Sequence, residues 1–254
     1  MANAQNRFDR ASLVKCQSET RELKGLLVEM ARLLTTKIPP NSQIQQGILI
    51  HSMLRVARSG EAQLLLSEGL YSEEMHCVNR ALVEISINAA YLQTAVEAEI
   101  KNYLQYDAIA MAQIVQKMTT SMPKDHPIDK AKELEIRRLL ALSKDSSGAI
   151  RSWTSKNITH RAREVDKATS SELMTMLLRV YEVGNSHVHG TADSVVLVGN
   201  WILEGENPNN SKRIESTIEA LHGTHLCLLA LSAFVEQRYQ MGLGTATSCV
   251  SEAE

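Results

Sequence analysis

The stretch SEEMHCVNRALVEISINAAYL, residues 72–92, decides the fold class of this chain. Its apolar side chains recur at intervals of three and four residues, the period of an α-helix with one apolar side. They are Met75, Val78, Leu82, Ile85, Ala89 and Leu92. Ser72 is predicted to cap this helix. Because such a stripe is stable only when other helices cover it, the stretch predicts a helical bundle.

The same period recurs along most of the chain, which predicts one all-α domain of seven or eight helices over residues 1–240. Aromatic residues make up only 4% of the 254 positions, which favours aliphatic helix packing over a β-sandwich. Ser170 or Ser171 is predicted to cap a helix that runs toward His187. Two prolines near 123–127 break the helical pattern. A small hairpin is predicted near 195–203, and residues 241–254 are predicted to form a flexible tail.

Composition and charge exclude several classes of function. The formal net charge is −2, from 27 basic and 29 acidic residues, so no overall attraction to nucleic acid or to an anionic membrane is expected. No secretory signal is visible, and the longest apolar run, near 227–235, is too short to span a bilayer. We therefore expect a soluble cytoplasmic protein that makes no membrane contact.

No motif for a metal or cofactor is recognisable. The four cysteines are scattered without a C-x-x-C pair, which is typical of a reducing compartment. His222 and His225 lie within a mostly apolar helix, and no cysteine or carboxylate completes a recognisable ligand set with them. There is no phosphate-binding glycine loop and no nucleophile elbow. The sequence therefore predicts neither a metal nor a cofactor.

A polar row runs along the helix of residues 72–92. His76, Arg80, Glu84 and Asn88 follow each other at intervals of four residues and so share one side of the helix. One interpretation is a solvated face with an Arg80–Glu84 ion pair worth a few tenths of a kcal/mol. The other is a row that faces a cleft between helices, where Arg80 holds a phosphate or a developing oxyanion.

The second concentration of polar side chains is NSHVHG, residues 185–190. If the preceding helix persists to His189, then His187 shares its apolar stripe and is expected to face the core. Asn185 and His189 then lie together on the other side. His189 is the better candidate for acid–base chemistry, with Asn185 orienting its ring. The alternative is that His189 only interacts with the helix dipole.

Two groups of residues resemble a bacterial family known only as domain of unknown function 5677. The first is LLLSEGL at 64–70, followed by the R-x-x-x-E of Arg80 and Glu84 and by Tyr91. The second is Trp153, then Tyr181, then an S-x-x-H-G ending that begins at Ser186. The resemblance covers most of residues 50–235.

That family in turn is similar to the helical HEPN domains, many of which are metal-independent ribonucleases of toxin–antitoxin and phage-defence systems. Their R-x(4–6)-H signature acts from two facing subunits, which implies a homodimer. Here Asn185 holds the polar position, but Gly184 stands where the arginine belongs, and Arg179 is too far away. The candidate replacement is Arg80, held by Glu84, provided that it enters the site from the helix of residues 72–92.

The sequence thus leaves two functional hypotheses open. In the first, the chain is a metal-independent endoribonuclease that uses His189, Asn185, Ser186, Arg80 and Glu84. In the second, it is a non-catalytic helical module that binds a partner protein, and the same side chains fix the packing of two helices. The sequence does not decide whether the chain is an enzyme.

Overall fold

The computed structural model is predominantly helical in the part of the chain that it describes. That part comprises residues 9–37, 44–106, 153–189 and 211–242, with the single residues 112, 134, 137, 138 and 141. These residues contain seven helical segments and no strand, so the all-α prediction is confirmed. The predicted hairpin at 195–203, the break near 123–127 and the tail after residue 242 lie outside the described residues.

The described residues form two compact units. Among the described residues of the larger unit there are six helices: α1 (Arg10–Lys37), α2 (Ile44–Glu68), α3 (Ser72–Leu92), α4 (Ile158–Thr169), α5 (Leu173–Val188) and α6 (Ser211–Tyr239). The smaller unit includes the helical residues 97–106 and the segment 153–157. In it, the Tyr103 and Trp153 rings meet edge to face at 5.1 Å, and Thr154 donates a hydrogen bond to Glu99.

Helix α3 packs against four other helices, α2, α4, α5 and α6. Met75, Leu82 and Ala89 of the predicted stripe are buried, whereas Val78 and Ile85 are only half-buried. The buried face of α3 is wider than the predicted apolar stripe, because polar residues of α3 are also buried.

Asn79 is the buried polar residue that ties α3 to two other helices. Its Oδ1 accepts hydrogen bonds from Gln63 Nε2 of α2 at 2.7 Å and from Thr224 Oγ1 of α6 at 2.8 Å. Its Nδ2 donates to the carbonyl oxygen of Ala220 at 2.6 Å. Because Asn79 is fully buried, each of these bonds satisfies a group that would otherwise be costly to desolvate.

Helix α5 begins in a way that the sequence did not indicate. Glu172 holds its N-cap position without a side-chain bond, so the predicted capping by Ser170 or Ser171 is wrong. Instead, the Asp166 carboxylate of α4 accepts the N–H groups of Met174 at 2.9 Å and Thr175 at 2.8 Å. A carboxylate from the preceding helix thereby does the work of a cap, and it fixes α5 relative to α4.

The predicted cap of α3 is also wrong by one position. Tyr71 is the N-cap residue and Ser72 is the first residue of the helix. The Ser72 hydroxyl lies 3.3 Å from a Glu73 carboxylate oxygen and makes no capping bond. Leu70 precedes this start with a φ of +58°, so the turn itself directs the chain into α3.

Helix α6 forms much of the core of the larger unit. Its packing partners are α1, α2, α3 and α5. By length and composition it could cross a membrane, but 72% of its apolar window is buried within the structure. Burial of this kind is what a core helix requires.

Replacing Asp166 tests whether the carboxylate holds α5. Asp166→Ala should lower the free energy of unfolding by about 1–2 kcal/mol, because two buried or half-buried N–H groups lose their acceptor. The measurement is urea denaturation followed by circular dichroism. Glu172→Ala, at the exposed N-cap, is the matched control and should cost less than about 0.5 kcal/mol. Equal losses in the two variants would contradict the assignment.

Candidate functional site

Helices α3 and α5 approach each other closely at Gly184. The contact between these two helices is called the seam below. A β-carbon at Gly184 would lie 2.4 Å from the His76 carbonyl oxygen and 2.8 Å from the Arg80 Cβ. Both distances are far below van der Waals contact, so α5 can lie this close to α3 only with glycine. This explains why position 184 carries no arginine: the main chain of α3 occupies the space.

Two histidine rings stack across the seam. The His76 and His187 centroids are 4.6 Å apart, with 12° between the planes. Burial and, to a lesser extent, the neighbouring His187 together lower the pKa of His76 to about 4. Burial also lowers the pKa of His187, against an opposing effect of Glu73. Both rings are therefore neutral at pH 7, and His187 faces α3 as the sequence predicted.

Arg80 and Glu84 lie on one flank of this seam. Their side chains form an ion pair at 3.5 Å and are 30% and 41% exposed, respectively. The Arg80 guanidinium carbon lies 5.4 Å from the centroid of the Tyr181 ring. A hydrogen bond to Tyr181 and the charge of Glu84 raise the pKa of Arg80. The ion pair is therefore only partly exposed to solvent, because Arg80 packs against Tyr181 of α5.

The whole polar row of α3 is directed at α4 and α5. His76 stacks on α5, Arg80 lies over Tyr181, and Asn88 accepts a hydrogen bond from Arg161 of α4. Arg161 is itself buried, which lowers the pKa of its guanidinium group. The row predicted from the four-residue spacing therefore faces neighbouring helices.

His189 and its neighbours lie at the far end of α5. His189 is exposed at the C-cap position, and its backbone N–H bonds to the Asn185 carbonyl oxygen at 3.1 Å. Ser186 donates its hydroxyl to the Glu182 carbonyl oxygen, and Asn185 is half-buried. His189 follows Gly184 by five residues, about 140° around the helix, so it is directed away from α3.

One chain does not bring Arg80 to His189. The guanidinium group of Arg80 lies over Tyr181, which precedes His189 by eight residues. At 1.5 Å per residue this is about 12 Å along the axis of α5. The two side chains that sequence reasoning joined in one site are therefore separated by more than two turns.

On the opposite flank of the seam, α3, α5 and α6 enclose a cleft of about 530 Å³. Its walls include Val180, Met176 and Leu226, and three exposed ionisable side chains line it: Arg179, Glu219 and His222. His76 and Asn79 of α3 also line it. This size and mixture of apolar walls with a few polar groups is typical of a ligand site.

Sequence reasoning missed this cleft. Arg179 stands too far before His189 along the chain to match the R-x(4–6)-H signature. His222 lies in a mostly apolar helix and belongs to no recognisable motif. The proximity of these side chains depends on how α5 crosses α6, and no local pattern encodes that crossing. The only sequence signal was the apolar stripe of Met176, Val180 and Val183 on α5, which predicts a covering neighbour without identifying it.

Comparison with known proteins identifies the family. The model of a family of unknown function, DUF5677, matches residues 46–200, more than half of the chain. The chain belongs to this family. The match contains Arg80, Glu84, Gly184 and His189, but it ends before α6 begins. No curated protein and no solved structure matches the chain.

The seam makes a prediction about glycine substitutions. Gly184→Ala should destabilise the protein by about 1–3 kcal/mol, because the new methyl group meets main-chain atoms that cannot move aside. Gly25→Ala is the control, since a β-carbon at that position of α1 meets no heavy atom within 4 Å. It should stabilise by about 0.5–1 kcal/mol through helix propensity. Urea denaturation separates the two, and equal effects would refute the close approach.

The stacked histidines predict a dependence of stability on pH. The folded-state pKa of His76, about 4, lies below its ordinary value of 6.5, so the unfolded chain takes up the proton first as pH falls. The free energy of unfolding should therefore decrease between pH 7 and pH 5, by about 2 kcal/mol from this group.

The check is urea denaturation at pH 7, 6 and 5. His76→Gln should show a smaller loss over this range than the wild type, whatever its stability at pH 7. His51→Gln, an exposed histidine of α2, should retain the full loss. An unchanged slope in His76→Gln would exclude a buried neutral histidine at position 76.

Proposed function

We propose that the chain acts on RNA as a metal-independent endoribonuclease, and that the reaction takes place in the cleft between α3, α5 and α6. The likeness to HEPN domains suggests the activity. The location is supported by the lining of the cleft, which contains a cation, Arg179, and two imidazoles, those of His76 and His222. A base for the 2′-hydroxyl and a cation for the phosphate are what metal-free phosphodiester cleavage requires.

The proposed reaction is attack of a ribose 2′-hydroxyl on the adjacent phosphorus. His222 presents an exposed imidazole and accepts the proton of the 2′-hydroxyl. The bond from the 2′-oxygen to phosphorus forms, and the bond from phosphorus to the 5′-oxygen breaks. The leaving 5′-oxygen takes a proton from water, and His222 returns its own to solvent. The products are a 2′,3′-cyclic phosphate and a 5′-hydroxyl, and DNA is not a substrate because it has no 2′-hydroxyl.

The other lining residues have roles that follow from charge. Arg179 faces the phosphoryl oxygens, whose negative charge grows in the transition state. His76 is neutral at pH 7 and serves as a hydrogen-bond acceptor for the substrate, since its pKa is about 4. Val180 and the other apolar side chains that line the cleft can pack against the flat face of a nucleobase.

A second arrangement for the same activity uses His189, Asn185 and Ser186 with Arg80 and Glu84. Since one chain keeps Arg80 and His189 apart, this arrangement requires a homodimer in which two copies of α5 face each other. His189 is exposed at the C-terminal end of α5. A cytoplasmic location and a role in phage defence or in a toxin–antitoxin pair belong to either form of the proposal.

A specific observation also favours a non-catalytic protein-interaction module. Each of His76, Arg80 and Asn88 has a contact on α4 or α5 that accounts for it structurally. Side chains of this kind fix the packing of helices without any substrate. In that case the exposed face around His189 binds a partner protein.

One ribonuclease assay distinguishes these possibilities. The pure protein is incubated with mixed-sequence RNA, with and without EDTA, and with DNA of the same sequence. We expect cleavage of RNA alone in both buffers, and a loss of about 100-fold or more in Arg179→Ala and His222→Ala. The matched controls Arg163→Ala and His51→Ala carry the same changes at exposed sites away from the cleft and should retain full activity.

The remaining outcomes each reject one hypothesis. Loss in His189→Ala and Arg80→Ala, with full activity in His222→Ala, would reject the cleft in favour of the two-subunit site. An absence of cleavage by the folded wild type, with or without EDTA, would reject the ribonuclease and favour the interaction module.

A further inference from the structure

A thiol, a carboxylate and an imidazole meet where α1 packs against α6. Cys16 and Glu19 are one turn apart on α1, and His225 lies on α6. The Cys16 Sγ is 4.0 Å from the His225 Nε2, and the ligand atoms of all three side chains lie within 4.8 Å of one another. His225 is more than 200 positions from Cys16 and Glu19 in sequence, so no spacing motif revealed the group.

The three side chains are a ligand set that suits zinc. Zn²⁺ prefers thiolate, imidazole and carboxylate ligands in tetrahedral geometry, with distances of about 2.3 Å to sulfur and 2.0 Å to nitrogen. Such geometry places the sulfur and nitrogen about 3.6 Å apart. The observed 4.0 Å is therefore within a few tenths of an ångström of a metal-bound arrangement.

The orientation of the imidazole is fixed by hydrogen bonds of the same nitrogen that would bind the ion. The His225 Nε2 lies 2.5 Å from the Thr20 Oγ1 and 3.1 Å from the Cys16 carbonyl oxygen. The Thr20 hydroxyl donates to that same carbonyl at 2.8 Å, so the ring is the donor in the metal-free state. Binding a cation replaces the Nε2–H by a coordinate bond and leaves the ring proton on Nδ1.

We propose that Cys16, Glu19 and His225 bind a zinc ion, with water in the fourth position. The water has access because the Glu19 side chain is 45% exposed, whereas Cys16 and His225 are buried. The ion joins α1 to the core helix α6. The site lies outside residues 46–200 and does not depend on the proposed ribonuclease activity.

Binding must overcome three competing effects: the hydrogen bonds of the His225 Nε2–H, the proton of the Cys16 thiol and the ion pair of Glu19. Burial raises the pKa of the Cys16 thiol to about 12 in the absence of a cation, so the ion displaces one proton to solvent. Lys15 lies 3.8 Å from a Glu19 carboxylate oxygen in an exposed ion pair, which contributes little. Affinity is therefore expected to fall as pH falls.

The test is titration of the metal-depleted, full-length protein with Co²⁺. A thiolate ligand gives an intense near-ultraviolet charge-transfer band, which should saturate at one Co²⁺ per chain and disappear when Zn²⁺ is added. Cys16→Ser should abolish the band, and Glu19→Gln should weaken binding by more than about tenfold. Cys77→Ser, the matched control on α3, should leave both unchanged.

Circular dichroism shows whether each variant is folded, and a zinc-dependent rise in melting temperature provides a second measurement. In the wild type we expect a rise, and in folded Cys16→Ser we expect none. The site would be refuted if folded wild type gave no charge-transfer band, or if the band persisted in Cys16→Ser. None of these readouts involves RNA, so their failure leaves the ribonuclease proposal standing.

Discussion

The larger unit depends on the approach of α5 to α3 at Gly184. With no side chain at that position, the main chains of the two helices come close enough for the rings of His76 and His187 to stack. The same approach puts Tyr181 beneath Arg80 on one flank and Val180 beside Asn79 on the other. A larger residue at position 184 would move α5 away from α3, and this would separate Arg80 from Tyr181 and Asn79 from Val180. The position of the Arg80–Glu84 pair and the shape of the cleft therefore both depend on one packing contact.

This contact also accounts for the glycine at position 184, where the ribonuclease signature of HEPN domains would require an arginine. An arginine at position 184 would require room that the backbone of α3 fills. Cationic groups reach the neighbourhood of α5 from elsewhere: Arg80 from α3 on one flank, and Arg179 from α5 itself on the other. The family match covers both flanks of α5 but not α6, which supplies His222 to the cleft.

The sequence predicted what depends on local periodicity. The helical class, the polar row of α3 and the inward direction of His187 all follow from residues within a few turns of one another. Helix starts were less predictable, because Asp166 caps α5 from a different helix and so replaces the local serines. The Asn79 bonds, the cleft and the grouping of Cys16 with His225 join residues 16 to 209 positions apart. These depend on how helices cross, which periodicity does not specify.

Stacking limits what the seam histidines can do chemically. Two imidazolium ions 4.6 Å apart would repel by about 3–4 kcal/mol at an effective dielectric constant of about 20. Burial adds to this cost, so the pair stays neutral and contributes packing and hydrogen-bond acceptors rather than charge. Proton transfer near neutral pH must then come from an exposed imidazole. On the cleft flank that group is His222, and at the end of α5 it is His189, so the two forms of the proposed ribonuclease differ in which of these histidines transfers the proton.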